Sequence, residues 1–371
     1  MELQRCTYPP LQPDPGKLLV IHELPQPPRI RENSQTQLIA LNEHLQLWQI
    51  DLISGRTLAL ADLHLPDFHP EHPVQLVISP CGQAAAVSNR FGRHAAVVSL
   101  RTGHTLLELS RGTYHFSVST YPLAFAEYGQ ELVLIHGVDW NRLELTVVLP
   151  EAGPVAADIS LTKASSDLQE DDLDYFHGQL HVSPDHTYIA ETGWVWSPTG
   201  ITRVWNLSNG AQNKPATGRG GQLNAIWTPL IDWDLPMVWL DNERLAVWGQ
   251  IDREMVDEED WQEEGICPAI LIYNAAIKSR ELVLTDLPAY TMCSGTSDVF
   301  IHAQAQLAAS SSGRLFAWGT GLPLYCWSLP DMQPQIHELP VQPDLYHRQA
   351  DLFLYISEGR LEAWRCLWRC L

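Results

Sequence analysis

The chain has 371 residues, 45% hydrophobic and 18% charged, a balance that suits a packed fold rather than a disordered one. Its formal net charge of −21 argues against a nucleic-acid partner, because phosphate binding needs a basic surface. No apolar run approaches the roughly 18 residues of a membrane span, and the stretch from Met1 to Pro10 lacks the apolar core of a signal peptide. The seven cysteines are scattered with no C-x-x-C pair, which fits reduced thiols and leads to an expected cytoplasmic location.

In chain order, one phrase recurs about every fifty residues: a short apolar strand, a tight turn, two further strands and a Gly turn. Strands are marked by period-two alternation or short apolar runs between Gly, Pro, Asn and Ser. A strand is expected over 17–24, ahead of any complete unit. The first unit takes 37–41, 45–51 and 57–61, turning at Ser54-Gly55. The second takes 75–78, 84–88, 94–100 and 105–109, and the third takes 122–126, 131–138 and 142–148 around Tyr128-Gly129. The fourth takes 179–182, 187–194 and 201–207; the fifth takes 237–240, 244–250, 269–274 and 281–284. The sixth lies within 299–340, and the seventh takes 351–357 and 360–365.

Four short strands per repeat define a propeller blade, so the expected fold is all-β: a seven-bladed β-propeller of four-stranded antiparallel blades, one domain over 1–371. After Trp364 only residues 365–371 remain, too few for a turn and a fourth strand. The pentapeptide Ile21-His22-Glu23-Leu24-Pro25 recurs as Ile336-His337-Glu338-Leu339-Pro340, where the sixth blade needs its fourth strand. By equivalence, residues 17–24 are expected to complete the last blade with 345–366, which removes an open sheet edge.

The turns Ser79-Pro80-Cys81-Gly82 and Ser183-Pro184-Asp185-His186, the Thr102-Gly103 turn and the strand end Trp205-Asn206-Leu207 carry a likeness. In these residues the chain resembles the WD-repeat and related bacterial propeller families, most strongly in the second and fourth blades. The Trp-Asp pair is absent from every blade end and the Gly-His pair is irregular. The family's Asp-His-Ser-Trp relay is therefore transferred to no residue here. The resemblance implies a rigid scaffold for protein contacts, usually without catalysis.

Of the fourteen tryptophans, Trp48, Trp205, Trp318, Trp327 and Trp364 fall in or at the ends of expected strands and read as packing between blades. Trp140, Trp227, Trp233 and Trp261 fall in expected loops, where they are either partner anchors or small loop cores. Long segments are expected at 62–73, 110–121, 160–177, 211–236 and 251–267, all between blades or between strands two and three of a blade. Insertions gathered at one face mark the binding face of a repeat protein. Two of these segments are acidic: Asp171 and Asp172 lie in one, and Asp257, Glu258, Glu259 and Asp260 flank Trp261 in the other. Such runs are either solvated surface or a field that steers a basic partner.

The stretch 62–73 carries His64, Asp67, His69, Glu71 and His72, but its prolines hold it extended and no metal is expected there. Neither a nucleophile elbow nor a phosphate loop occurs, since Gly218-Arg219-Gly220-Gly221 lacks the following Lys-Ser/Thr. No catalytic residue or cofactor is expected. The reading is a non-catalytic interaction scaffold that binds a protein partner on its long-loop face, a basic partner if the acidic segments steer it. The alternative is an enzyme or small-ligand binder that uses the central channel.

Overall fold

A computed structural model describes residues 2–25, 36–151, 153–160, 175–196, 199–207, 225–227, 233–252, 266–284, 287, 293–294, 301–302, 305–329, 333–339, 341–357 and 360–367. Among them are thirty strands, a 3-10 turn at Phe116–Val118 and no α-helix. The chain divides into two compact units, Met1–Ser160 with Leu339–Leu371, and Leu161–Glu338.

The first unit opens with β1 (Glu2–Cys6) and holds four antiparallel sheets. One is β2 (Leu18–Glu23), β3 (Gln37–Asn42), β4 (Gln46–Asp51) and β5 (Thr57–Asp62). The next is β6 (Val74–Ile78), β7 (Ala84–Asn89), β8 (His94–Ser99) and β9 (Thr105–Ser110). The third is β10 (Leu123–Tyr128), β11 (Glu131–Asp139), β12 (Arg142–Leu149) and β13 (Gly153–Ser160). The second unit holds β14 (Leu180–Val182), β15 (Tyr188–Val195), β16 (Thr199–Asn206) and β17 (Ala225–Trp227). It continues with β18 (Met237–Trp239), β19 (Arg244–Asp252), β20 (Ile266–Asn274) and β21 (Ser279–Leu284). A two-stranded ribbon, β22 (Cys293–Ser294) and β23 (Ile301–His302), precedes β24 (Gln306–Ala309), β25 (Arg314–Trp318), β26 (Leu324–Ser328) and β27 (Gln335–His337). The remaining sheet of the first unit is β28 (Leu345–His347), β29 (Leu352–Ser357) and β30 (Arg360–Leu367), with β1 as its fourth strand.

Seven sheets of four strands match the expected blades. Within each unit the sheets pack face to face, so their middle strands are buried on both sides. Strand β7 reads Ala-Ala-Ala-Val-Ser-Asn and is buried throughout, since small side chains let its neighbours approach on either face. Ile39, Leu41 and Leu47 of one sheet interdigitate with Leu76, Ile78, Ala85 and Val87 of the next. Fourth strands are wetter: β5 and β9 each expose three of their six residues. The expected Thr102-Gly103 turn forms, with Gly103 at φ +75, where an L side chain is strained.

Two expectations are corrected. First, the last blade is closed by an N-terminal strand, but by β1 rather than by 17–24. Leu3 pairs with Cys366 and Cys6 with Ala363, and Arg5 adds an ion pair to Glu362 at 2.6 Å. Residues 18–23 instead begin the following sheet, with Ile21 opposite Ala40. The burial pattern explains the choice: Leu18 and Ile21 are core residues beside Leu352 and Leu354, whereas β1 has the polar sequence of an outer strand. The repeated pentapeptide therefore supplies the end of a first strand in one place and the end of a fourth strand in the other.

Second, 211–236 is not one connection between blades. Strand β17 lies within it and pairs with β16, so residues 207–224 join strands three and four of a blade. Long segments are thus not confined to one kind of connection. The sixth blade runs from Gln306 to His337, within the expected 299–340, and the ribbon β22–β23 lies before it.

Candidate functional site

In the third sheet of the first unit, the connection from β9 to β10 folds back over the β11–β12 turn. Arg111 is 5% exposed and organises that connection. Its guanidinium donates to the carbonyl oxygens of Gly92 (2.9 Å), Thr120 (3.2 Å), Phe116 (2.7 Å) and Ser119 (2.8 Å), and it lies 4.8 Å over the Tyr121 ring. Burial pushes the Tyr121 phenol well above its ordinary range, with the Arg111 charge pulling the other way. Phe116–Val118 turns once, preceded by His115 in the left-handed conformation.

This folding brings three rings together at the surface. Tyr114 lies 4.5 Å from His115 and 5.6 Å from Trp140, edge-on to both. The Trp140 backbone N–H donates to the Asp139 carboxylate at 2.8 Å, which fixes the turn. Tyr114 is 47% exposed and Trp140 is half-buried. The cluster sets aromatic area on a connection that hydrogen bonds to buried Arg111 hold in place.

The fourth sheet, in the second unit, carries a different arrangement. Residues 175–178 run along β15, and Phe176 and Trp194 exchange two backbone hydrogen bonds (2.8 and 3.1 Å). Gly193 is required at this crossing, because a Cβ there would overlap the Phe176 carbonyl oxygen and the Tyr175 ring. The Gly193 N–H donates to the Tyr175 hydroxyl (2.7 Å), which in turn donates to the Ile201 carbonyl (3.0 Å).

Behind this strap lies a buried ionic network. Arg203 Nη2 donates to Glu191 Oε1 at 2.9 Å, and His177 Nδ1 stands 3.0 Å from the same carboxylate. The side chains of His177, Glu191 and Arg203 are at most 2% exposed. The Arg203 guanidinium also lies 3.4 Å over the Tyr175 ring and 5.9 Å from that of Trp205, so its Nε and Nη1, which have no acceptor among the described residues, face π surfaces. Burial alone would raise the Glu191 carboxyl. The charges and hydrogen bonds of His177 and Arg203 outweigh burial and hold it below the ordinary carboxylate range. With all three groups shut away from solvent, the network locks the strap against the sheet.

The strap supports an aromatic ledge. Phe176 stacks on Trp194 at 3.7 Å and 8°, and Trp233 lies 5.4 Å from Trp194 on another side. All three are buried, at 1%, 3% and 2% exposure. Trp196, just beyond β15, stands edge-on to Trp194 (5.3 Å) and Phe176 (5.7 Å) and is 47% exposed.

The expected anchors therefore separate. Trp140 is at the surface and meets Tyr114. Trp227 and Trp233 are not exposed loop residues: Trp227 is in β17, in the core beside Leu235 and Met237, and Trp233 backs the ledge. Trp261, Asp257, Glu258, Glu259, Asp260, Asp171 and Asp172 lie outside the described residues. Trp205, Trp318 and Trp327 are buried as read, while Trp48 and Trp364 are half-buried. Sequence reasoning missed Trp196 and Tyr114. The Trp194-Val195-Trp196 spacing ahead of Ser197-Pro198 was the available signal, since a turn there carries the second ring past the strand end. In 62–73, His69 pairs with Glu71 (3.3 Å) and Asp67 with His94 (3.4 Å). No three such groups converge on a metal-sized site among the described residues, nor is any helix there long and apolar enough to cross a membrane.

No protein-family model and no curated protein sequence matches the chain. Solved structures do match in fold. The β-propeller domain of Cps50 (Swd1) from Myceliophteria thermophila aligns over 99% of this chain and 100% of its own, at 11% identity and a TM-score of 0.56. Hydrazine synthase from Kuenenia stuttgartiensis aligns over 96% and 97% at 12% identity and 0.54. The Pan2 WD40 domain of Neurospora crassa aligns over 98% and 96% at 10% identity and 0.51. The chain therefore has a WD40-like seven-bladed β-propeller fold; at these identities the likeness speaks to fold and not to activity.

Proposed function

We propose that the protein is an interaction module that binds a protein partner through exposed aromatic side chains at its inter-blade and strand two–three connections. The observation that carries this reading is the Tyr114–Trp140 pair, presented on a connection that buried Arg111 holds to four carbonyl oxygens. Ordering of that loop precedes binding, so little conformational entropy remains to be lost on contact. The excess of carboxylates, including Asp171, Asp172, Asp257, Glu258, Glu259 and Asp260, favours a basic partner through long-range attraction.

The test is recovery of a stoichiometric partner from native lysate with the tagged chain beside a Tyr114→Ala/Trp140→Ala variant. Loss of that partner in the variant, with an unchanged melting temperature, is the expected result; equal recovery overturns the reading. Once the partner is known, replacing Asp257, Glu258, Glu259 and Asp260 with lysine should slow association at low salt and leave dissociation little changed. An unchanged association rate would remove the steering element alone.

A further inference from the structure

We infer that Arg93 gives the Tyr114–Trp140 surface a carboxylate-binding subsite, so that the partner segment seated there carries an acidic residue beside an apolar one. The inference rests on the interaction reading above and specifies the chemistry of what that surface binds.

The first observation is an unpaired cation. Arg93 is the last residue before β8, and its carbonyl accepts the Arg111 N–H at 2.9 Å. That bond seats it beside the β9–β10 connection. Among the described residues its guanidinium has no hydrogen-bond acceptor and no carboxylate partner. Yet the chain carries 44 acidic side chains against 23 basic ones. Nε of Arg93 is closed to solvent without an acceptor, a cost that the other arginines of the region avoid. Arg111 donates to four carbonyl oxygens, and Arg90 donates to Thr120 Oγ1 at 2.8 Å. Carboxylates of the adjoining segments are engaged elsewhere: Asp67 with His94 at 3.4 Å, and Asp139 with the Trp140 N–H at 2.8 Å.

The second observation is position. The Arg93 guanidinium lies 5.9 Å from the centre of the Phe116 ring, within cation–π reach. Phe116 follows Tyr114 by two residues, so their Cα atoms are at most about 7 Å apart. Tyr114 is 47% exposed and meets Trp140. A half-buried charge and an exposed aromatic pair thus lie within a few residues' length of extended chain. Arginine offers a planar fork that matches a carboxylate, and partial burial strengthens the attraction between such groups. The net charge of −21 repels an acidic segment at long range. An acidic preference at this surface therefore requires a local cation, and a partner that is basic overall but acidic at the contact satisfies both.

The experiment titrates the full chain into the fluorescently labelled peptide Gly-Ser-Phe-Glu-Phe-Ser-Gly and its Gln and Lys counterparts. Anisotropy is read at low salt and at about 0.15 M salt. The expected result is tightest binding of the Glu peptide at the higher salt, where long-range repulsion is screened more than the half-buried contact. Arg93→Gln should weaken the Glu peptide by about tenfold and the Gln peptide far less. It should also keep the melting temperature, since no hydrogen bond or ion pair of its side chain with the described residues is lost. Arg101→Gln, an equal change of charge on another turn, should leave all three peptides as in the wild type. A Glu peptide bound no more tightly than its Gln or Lys counterpart overturns the inference. So does a Glu preference that survives Arg93→Gln, or one lost equally in Arg101→Gln. A lowered melting temperature in Arg93→Gln would make Arg93 a packing residue and overturn it as well. Recovery of a lysate partner that depends on Tyr114 and Trp140 but not on Arg93 would leave the interaction reading standing and remove only this subsite.

Discussion

Two aromatic surfaces, one in the third sheet and one in the fourth, rest on buried arginines that are held in opposite ways. Arg111 spreads its guanidinium over three carbonyl oxygens of its own connection and over that of Gly92 in the β7–β8 turn. Arg203 faces a buried carboxylate, Glu191, and through it His177. In the first case the cation ties a loop to itself and to the neighbouring turn, so its work is local. In the second the ion pair joins β15 to β16 inside the sheet, and the strap 175–178 is attached to that pair. Presenting a rigid ring at a surface thus has two solutions here, with different ways of failing.

The largest expected effect separates them. Glu191→Gln leaves the Arg203 charge buried without its counter-ion and should cost about 3–5 kcal/mol in urea unfolding of the chain. The pH dependence sharpens this. The Glu191 carboxyl is held below its ordinary range, so the unfolded chain takes up a proton there before the folded one does. The stabilisation is complete above the unfolded value, about 4.3, and is lost as pH falls through the folded value. The stability gap between wild type and Glu191→Gln should accordingly be widest at neutral pH and narrow below about pH 4. A gap independent of pH would mean that Glu191 acts through shape and not through charge.

Arg111→Met comes next, at about 2 kcal/mol, since several charge-assisted bonds are lost but water can reach the freed carbonyls. Its signature should be local: amide exchange in 112–120 accelerates while β7 and β11 keep their protection. Global loss of protection would contradict the view of Arg111 as a loop clamp. Smallest in stability terms are Trp140→Ala and Trp196→Ala, each expected to shift stability by no more than about 1 kcal/mol, because their rings are partly solvated already. A larger loss at either position would make that ring a packing residue and weaken its assignment as a contact.

Much of the architecture was legible from local pattern. The short apolar runs along 84–88 and 94–100 and the glycine turn at Gly103 place strands within a residue or two of their observed ends, because such runs and the turns that bound them are local properties of the chain. Long-range choices were not legible in the same way. Residues 18–23 and 2–6 both pair antiparallel with a neighbour, and only the competition for core space by Leu18 and Ile21 assigns the outer position to β1. Trp227 and Trp233 lie in stretches rich in Gly, Pro and polar residues and read as loop; Trp227 is buried beside Leu235 and Met237, and Trp233 lies against Trp194 of β15.

The amino-acid sequence by itself determined the all-β class, the blade period and the acidic character of the molecule, since repeat spacing and charge follow from composition and local order. Tertiary structure alone decided which strand closes the last blade, which tryptophans remain at the surface, and that Glu191, His177 and Arg203 meet. Those outcomes depend on contacts between residues far apart in the chain. Burial, and with it the separation of an anchor from a packing residue, is a property of the neighbours rather than of the residue.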